Sequence, residues 1–309
     1  MKLIICCLAL LPLISGCQVK SNLIVEPIHD PSIATPSTVV ANSSAEEWRE
    51  LDAENTLYLT LSSGLVVIEL LPDLAPEHVA NTKALIRQGV FDGTQFYRVL
   101  DGFVAQGGPM FESAADMKPL SNGKYSVPEE LTYTGELSDQ YIPFDSSDGY
   151  ADETGFIDGF AVGRDLSSGE TWLLHCYGAL GMGRANELDS GGTELYIVNG
   201  PAQRYLDRNV TVFGRVITGM EHIQALKRSV NLDGPVDLAG QNIIASIQMA
   251  ADLSADDVLA IEVMDTRSDS FKQLLDARKN RSGEWFVHQH DYIDACGVPI
   301  PVRLQTAAH

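Results

Sequence analysis

FDGTQFYRVLDGFVAQGGPM, Phe91 to Met110, decides the fold of this chain. Asp92-Gly93 is a turn signal, and behind it Phe96, Tyr97, Val99 and Leu100 make a β-rich apolar strand broken by one cation, Arg98. A second turn at Asp101-Gly102 leads into Phe103-Val104-Ala105-Gln106 and then Gly107-Gly108-Pro109. A guanidinium inside a buried strand is costly unless it is paired or faces a cleft. Arg98 is therefore either half of an ion pair or a group held at a site, with Phe103 and Gln106 close by in sequence; the residues alone leave both open.

Outward from this stretch, two further blocks carry a resemblance. FYRVLDGFVAQGG resembles the signature of the cyclophilins, prolyl isomerases whose active strand reads F-H-R-x-x-x-x-F-x-x-Q-G-G, with Arg98, Phe103, Gln106, Gly107 and Gly108 in register. His175 to Val198, HCYGALGMGRANELDSGGTELYIV, is similar to the family's H-x-x-G-x-L-x-M-A segment and the strand after it, aligning Gly178, Leu180, Met182, Arg184 and Tyr196. Tyr205 to Val216, YLDRNVTVFGRV, resembles W-L-D-x-x-H-x-x-F-G-x-V through Asp207, Phe213 and Gly214. The resemblance covers about residues 54–250. It implies a mainly β fold, a closed eight-stranded antiparallel barrel capped by two helices; in this chain an acidic insertion lies within it and a C-terminal α/β extension follows it.

By the same resemblance Arg98, Phe103 and Gln106 are the catalytic residues. Val104, Tyr196 and Leu206 form the proline pocket with Phe103, Tyr205 and Val210 stand on its rim, and Gly183 and Arg184 line the groove for the preceding residue. The chain departs from the family pattern at several of these positions. Val104 stands for methionine, Gly183 for alanine, Tyr196 for phenylalanine, Glu194 for glutamine, Tyr205 for tryptophan and Val210 for histidine. No covalent bond breaks in prolyl isomerisation, so neither metal nor cofactor is expected. The partners implied are proline-containing segments of unfolded or exported proteins. A cyclophilin-fold binding module with little turnover is the alternative.

The rest of the chain supports this order. Leu57, Leu59 and Leu61 alternate before a Ser62-Ser63-Gly64 turn, and Leu65 to Leu71 returns, predicting a hairpin. Pro76 heads a helix with Val79, Thr82 and Ile86 on one face and Gly89 as its stop. Thr218-x-x-Glu221 and Ser44-x-x-Glu47 read as capping boxes, the second opening a short helix through Trp48 and Leu51. Residues 109–172 read as an irregular insertion whose Asp145, Asp148, Asp152 and Glu153 form a solvated acidic loop, since their spacing departs from a calcium loop. Residues 251–309 offer a strand near Val258 to Met264 and a helix with Phe271, Leu274, Leu275 and Arg278 on one face. His288-x-His290 lacks a third ligand and is no metal site.

Composition bounds the function. A formal charge of −21 over 309 residues repels nucleic acid and anionic lipid surfaces. Lys2 followed by the apolar run Leu3 to Leu13 predicts a secretory signal over residues 1–16, and Ile14-Ser15-Gly16-Cys17 resembles a bacterial lipobox with Cys17 as the lipidated residue. Residues 17–50 are then expected to be a lipid anchor and flexible tether, placing residues 51–250 and their extension in the envelope, at the outer membrane facing the periplasm. A monomer is expected. Cys176 and Cys296 remain after export, as a disulfide or as two separate thiols.

Overall fold

The computed structural model describes residues 34–110, 119–137, 139–229, 240–281, 283 and 285–305. The signal segment, Cys17 and the first half of the expected tether lie outside the described residues. The described chain opens with α1 (Pro36–Asn42) and β1 (Trp48–Glu50). The predicted hairpin follows as β2 (Thr56–Leu61) and β3 (Gly64–Leu70), then α2 (Pro76–Arg87), β4 (Gln95–Val99) and β5 (Val104–Gly108). Next come β6 (Tyr141–Phe144), β7 (Glu153–Ile157), β8 (Phe160–Arg164) and β9 (Thr171–Leu173). The barrel resumes with β10 (Ala179–Gly183), β11 (Glu194–Val198), β12 (Val212–Thr218), α3 (Met220–Gln224) and β13 (Ile244–Met249). Last are β14 (Ile261–Met264), α4 (Asp269–Lys279) and β15 (Val302–Leu304).

Eight strands form one sheet in the order β13-β2-β3-β12-β10-β11-β5-β4, antiparallel throughout. Its two edges meet: Gly93 N–H donates to the Ile244 carbonyl at 2.8 Å and Phe96 N–H to that of Asn242 at 3.0 Å. The period-two pattern sends Leu57, Leu59, Phe96, Leu180, Met182 and Phe213 into the barrel. Burying each such side chain is worth roughly 1.5–3 kcal/mol. Val79, Leu85 and Ile86 of α2 and Ile223 of α3 close the same core, as the two expected caps. The Thr218 capping box does not form. Gly219 is the N-cap of α3 at φ 92°, where an added Cβ would run into the Leu65 carbonyl.

The insertion is more ordered than its sequence predicts. Residues 141–173 form a four-stranded antiparallel sheet, β6-β7-β8-β9. Two of its four acidic residues are engaged rather than solvated: Asp148 pairs with Arg204 at 2.7 Å, and Glu153 pairs with Arg164 at 3.0 Å, while Asp145 and Asp152 are exposed as expected. One side of this sheet places Ile157, Phe160, Val162 and Leu173 against the outside of the barrel. The alternation is hard to see because both faces are covered; Phe144 and Phe156 pack into a second cluster with Trp172 and Phe271.

Residues 36–50, expected as the end of a tether, are folded. β1 joins β14 and β15 in a three-stranded sheet with Trp48 opposite Met264, and Val39 of α1 shares a buried cluster with Leu274 of α4. The helix expected from Ser44 is a single 3-10 turn, Ala45–Glu47, running into β1. The Glu47 carboxylate accepts from Ser270 N–H at 2.8 Å, tying this turn to the head of α4. These elements are too short to show a period in sequence. Cys176 and Cys296 are joined in a disulfide, with Cα atoms 5.0 Å apart across 120 residues of chain. The extension is thus bonded to the barrel just before β10. Among the described residues no helix is long and apolar enough to cross a membrane, and no three His, Cys, Asp or Glu side chains cluster as a metal site.

Candidate active site

β4 and β5 set Arg98 directly opposite Gln106 in the antiparallel register, so both side chains leave the same outer face. Arg98 Nη1–H donates to Gln106 Oε1 at 3.2 Å, and the guanidinium carbon lies 5.5 Å from the centre of the Phe103 ring. Phe103 is aimed by the tight turn before β5. Gly102 takes φ 68°, Phe103 N–H donates to the Leu100 carbonyl at 3.2 Å, and Leu100 N–H to that of Val104 at 2.9 Å. The three residues expected to be catalytic are therefore together.

The pocket residues are arranged less openly than expected. Tyr196 sits opposite Gln106 on β11, and Val104 opposite Val198. Val104 is 3% and Tyr196 5% exposed, because Ile157, Phe160 and Leu173 of the insertion pack into the same cluster. Phe103 and Val210 lie at the margin of that cluster, half-buried. Leu206 is half-buried and Tyr205 is 58% exposed on the 3-10 turn Arg204–Leu206, at the rim. The insertion sheet thus forms one wall beside Val104 and Tyr196.

Gly183 has a local reason to be glycine. A Cβ there would stand 2.8 Å from Gln106 Nε2, crowding the amide that Arg98 holds. Arg184 braces the neighbouring loops: Nε and Nη2 donate to the Asn209 carbonyl at 3.0 and 2.9 Å, and Nη1 to that of Ala185 at 2.8 Å. Beside them Met110 N–H donates to Glu194 Oε1 at 3.1 Å. Burial pushes the Glu194 carboxyl above its ordinary range, and contacts with the Tyr97 hydroxyl and Met110 N–H offset this only in part.

His175 and Asp207, which served in sequence only to hold the motif register, prove to be part of the site. His175 is fully buried under Tyr196, its Nε2 2.8 Å from the Tyr196 hydroxyl and its Nδ1 2.9 Å from Asp207 Oδ1. The two rings stack at 6.1 Å. The signal was present in the sequence: a tyrosine where phenylalanine is usual brings a hydroxyl that needs a buried partner.

Comparison with known proteins agrees with this geometry. Residues 56–248 match the family described as cyclophilin type peptidyl-prolyl cis-trans isomerase/CLD. A probable peptidyl-prolyl cis-trans isomerase of Brucella suis is 30% identical over 183 residues, 57% of this chain and 74% of the relative. Peptidyl-prolyl cis-trans isomerase B of Bacillus subtilis is 30% identical over 167 residues, 54% of this chain and 86% of the relative. The crystal structure of cyclophilin AquaCyp293 from Hirschia baltica, 26% identical, superposes with a TM-score of 0.67 over 89% of this chain and 99% of its own. That likeness takes in more than the barrel. With its three active-strand residues assembled and well over half its length within the family match, the chain belongs to the cyclophilin-type peptidyl-prolyl cis-trans isomerases.

Proposed function

We propose that this enzyme isomerises prolyl bonds in exported proteins of a bacterial envelope, with Arg98 as the group that eases twisting of the amide. The barrier of roughly 18–20 kcal/mol reflects amide resonance, which is lost in the twisted transition state. Twisting leaves a lone pair on the prolyl nitrogen, and a donor that bonds it there lowers the barrier without bonding the planar ground state equally. Arg98 has that role. Gln106 holds the neighbouring carbonyl, and Phe103 offers the ring an apolar face. The observation that carries this reading is the convergence of Arg98, Phe103 and Gln106 on one outer face of the barrel. The test is isomerisation of an Ala-Pro peptide by the full chain: Arg98→Ala should lose most of the activity with the fold intact, and an unchanged rate would overturn the assignment.

The alternative, a binding module for proline-containing segments, rests on Val210 standing where the family has histidine and on the C-terminal extension outside the family match. Peptide binding without turnover by the native chain would decide for it. The envelope location is supported by the Lys2 to Leu13 signal pattern, by Cys17, and by a disulfide of the kind that persists in oxidising compartments. Cys17→Ser should move the protein from the membrane to the soluble fraction; retention in the membrane would defeat lipidation at that residue.

A further inference from the structure

Beneath the pocket wall a chain of polar groups runs from the barrel into the insertion. The Tyr196 hydroxyl meets His175 Nε2 at 2.8 Å, and His175 presents both its Nδ1 and its backbone N–H to Asp207 Oδ1, at 2.9 and 3.0 Å. Arg204 Nε–H donates to Asp207 Oδ2 at 2.6 Å, and its Nη1 and Nη2 fork onto Asp148 at 2.7 and 2.9 Å. Asp148 lies between β6 and β7, and its Oδ1 also accepts from the backbone N–H groups of Tyr150 and Ala151 at 2.8 and 2.9 Å. The Arg204 guanidinium stands over the Tyr150 ring at 5.2 Å. His175, Asp207 and Arg204 are 0%, 8% and 6% exposed, and the Asp148 side chain 4%.

Groups this deeply buried are stable only when every partner is in place, and a satisfied buried network has little freedom to shift. Burial raises the Asp148 carboxyl, but Arg204 and the two backbone donors more than reverse this, leaving it below its ordinary range. The charged form of the fork is the stable one. Each link is a directed bond, so the position of Asp148 in the insertion fixes that of the Tyr196 ring opposite Gln106.

We propose that Arg204 and Asp148 are positioning residues for the isomerase: through Asp207 and His175 they lock the Tyr196 ring, so that the insertion sets the width of the proline pocket. This rests on the isomerase reading of the site. A misplacement of about 1 Å at a reacting centre can cost on the order of 100-fold in rate. A ring that loosens at a wall rather than at the reacting atoms should cost about tenfold, expressed in KM and in peptide affinity more than in kcat.

A double-substitution cycle on the full chain tests it, with isomerisation of an Ala-Pro peptide and calorimetric binding of the same peptide as readouts. Asp148→Asn should lower kcat/KM about tenfold in the native background. In the Tyr196→Phe background, where the hydroxyl link is absent, it should change kcat/KM less than twofold. A merely structural role for Asp148 would give the same loss in both backgrounds, or a lower melting temperature with kcat/KM unchanged, and either result overturns the proposal. If Asp148→Asn does not fold, Arg204→Lys, which keeps the charge and removes the fork, replaces it in the cycle with the same expectations. A native chain that neither binds nor turns over the peptide sinks the isomerase reading and this proposal together. An active native chain with no dependence on Asp148 or Arg204 sinks this proposal alone.

Discussion

Arg98 and Arg215 stand on the outer face of the same barrel, each near a phenylalanine ring: 5.5 Å from Phe103 in one case, 4.9 Å from Phe160 in the other. Their partners differ. Arg98 donates to the neutral amide of Gln106, whereas Arg215 meets the Glu69 carboxylate at 3.0 Å, which Arg49 of β1 shares at 2.6 Å. Arg49 also donates to the Asp158 carbonyl in the insertion. Burial pushes the Arg215 guanidinium below its ordinary range, against the pull of Glu69. The same side chain over the same kind of ring therefore does two things. Around Glu69 it fastens barrel, insertion and the N-terminal strand β1 to one another; at Gln106 it is set beside an amide of the kind it would meet in a substrate.

The comparison breaks first at Glu69. Glu69→Gln leaves two largely buried guanidinium groups without their carboxylate and should cost about 3 kcal/mol or more of unfolding free energy, the range for stranding a buried charge. Isomerase activity of the folded fraction should stay at the native level. Urea unfolding and peptide turnover on one preparation check both halves; a fall in turnover with native stability would reverse the roles assigned here. Next in size, Arg98→Ala should lower kcat/KM about 10²–10³-fold, the loss typical of a single transition-state donor, with urea stability nearly unchanged. Arg98→Lys should not restore it, because an ammonium cannot reproduce the planar fork. A large loss of stability in Arg98→Ala would make Arg98 a second fastener and erase the contrast.

The smallest effect concerns Glu194, the buried carboxyl near Gln106. Its folded value is raised, so its contribution to stability is full below the unfolded value of about 4.3 and is lost as pH rises through the folded one. Glu194→Gln removes that loss. The variant should gain stability relative to the native chain as pH rises above the unfolded value, and a difference that does not vary with pH would show that burial is not what lifts this group.

What could be read from the sequence was local. Arg98 and Gln106 lie eight residues apart in one hairpin, so a linear motif is enough to place them on one face. The apolar alternation of Leu57, Leu59 and Leu61 gave the first hairpin for the same reason. Asp148 and Arg204 are 56 residues apart, and nothing in a run of acidic residues distinguishes a solvated aspartate from one that receives a forked guanidinium. β1 has three residues and α1 seven, too few for a period to emerge, and their burial depends on partners at the other end of the chain. The cover over Tyr196 was illegible because it comes from a sheet with both faces packed.

The pairing of β1 with β14 has a consequence for biosynthesis. Trp48 and Met264, opposite each other in the small sheet, are separated by more than two hundred residues. A ribosome adds about 5–20 residues per second, so the partner strand is made roughly 10–40 s after Trp48. For that interval the first strand has no ladder to join, although every barrel strand has already been synthesised by the time β14 appears. All the barrel strands lie between these two in the chain, so the barrel can close before its flanks meet.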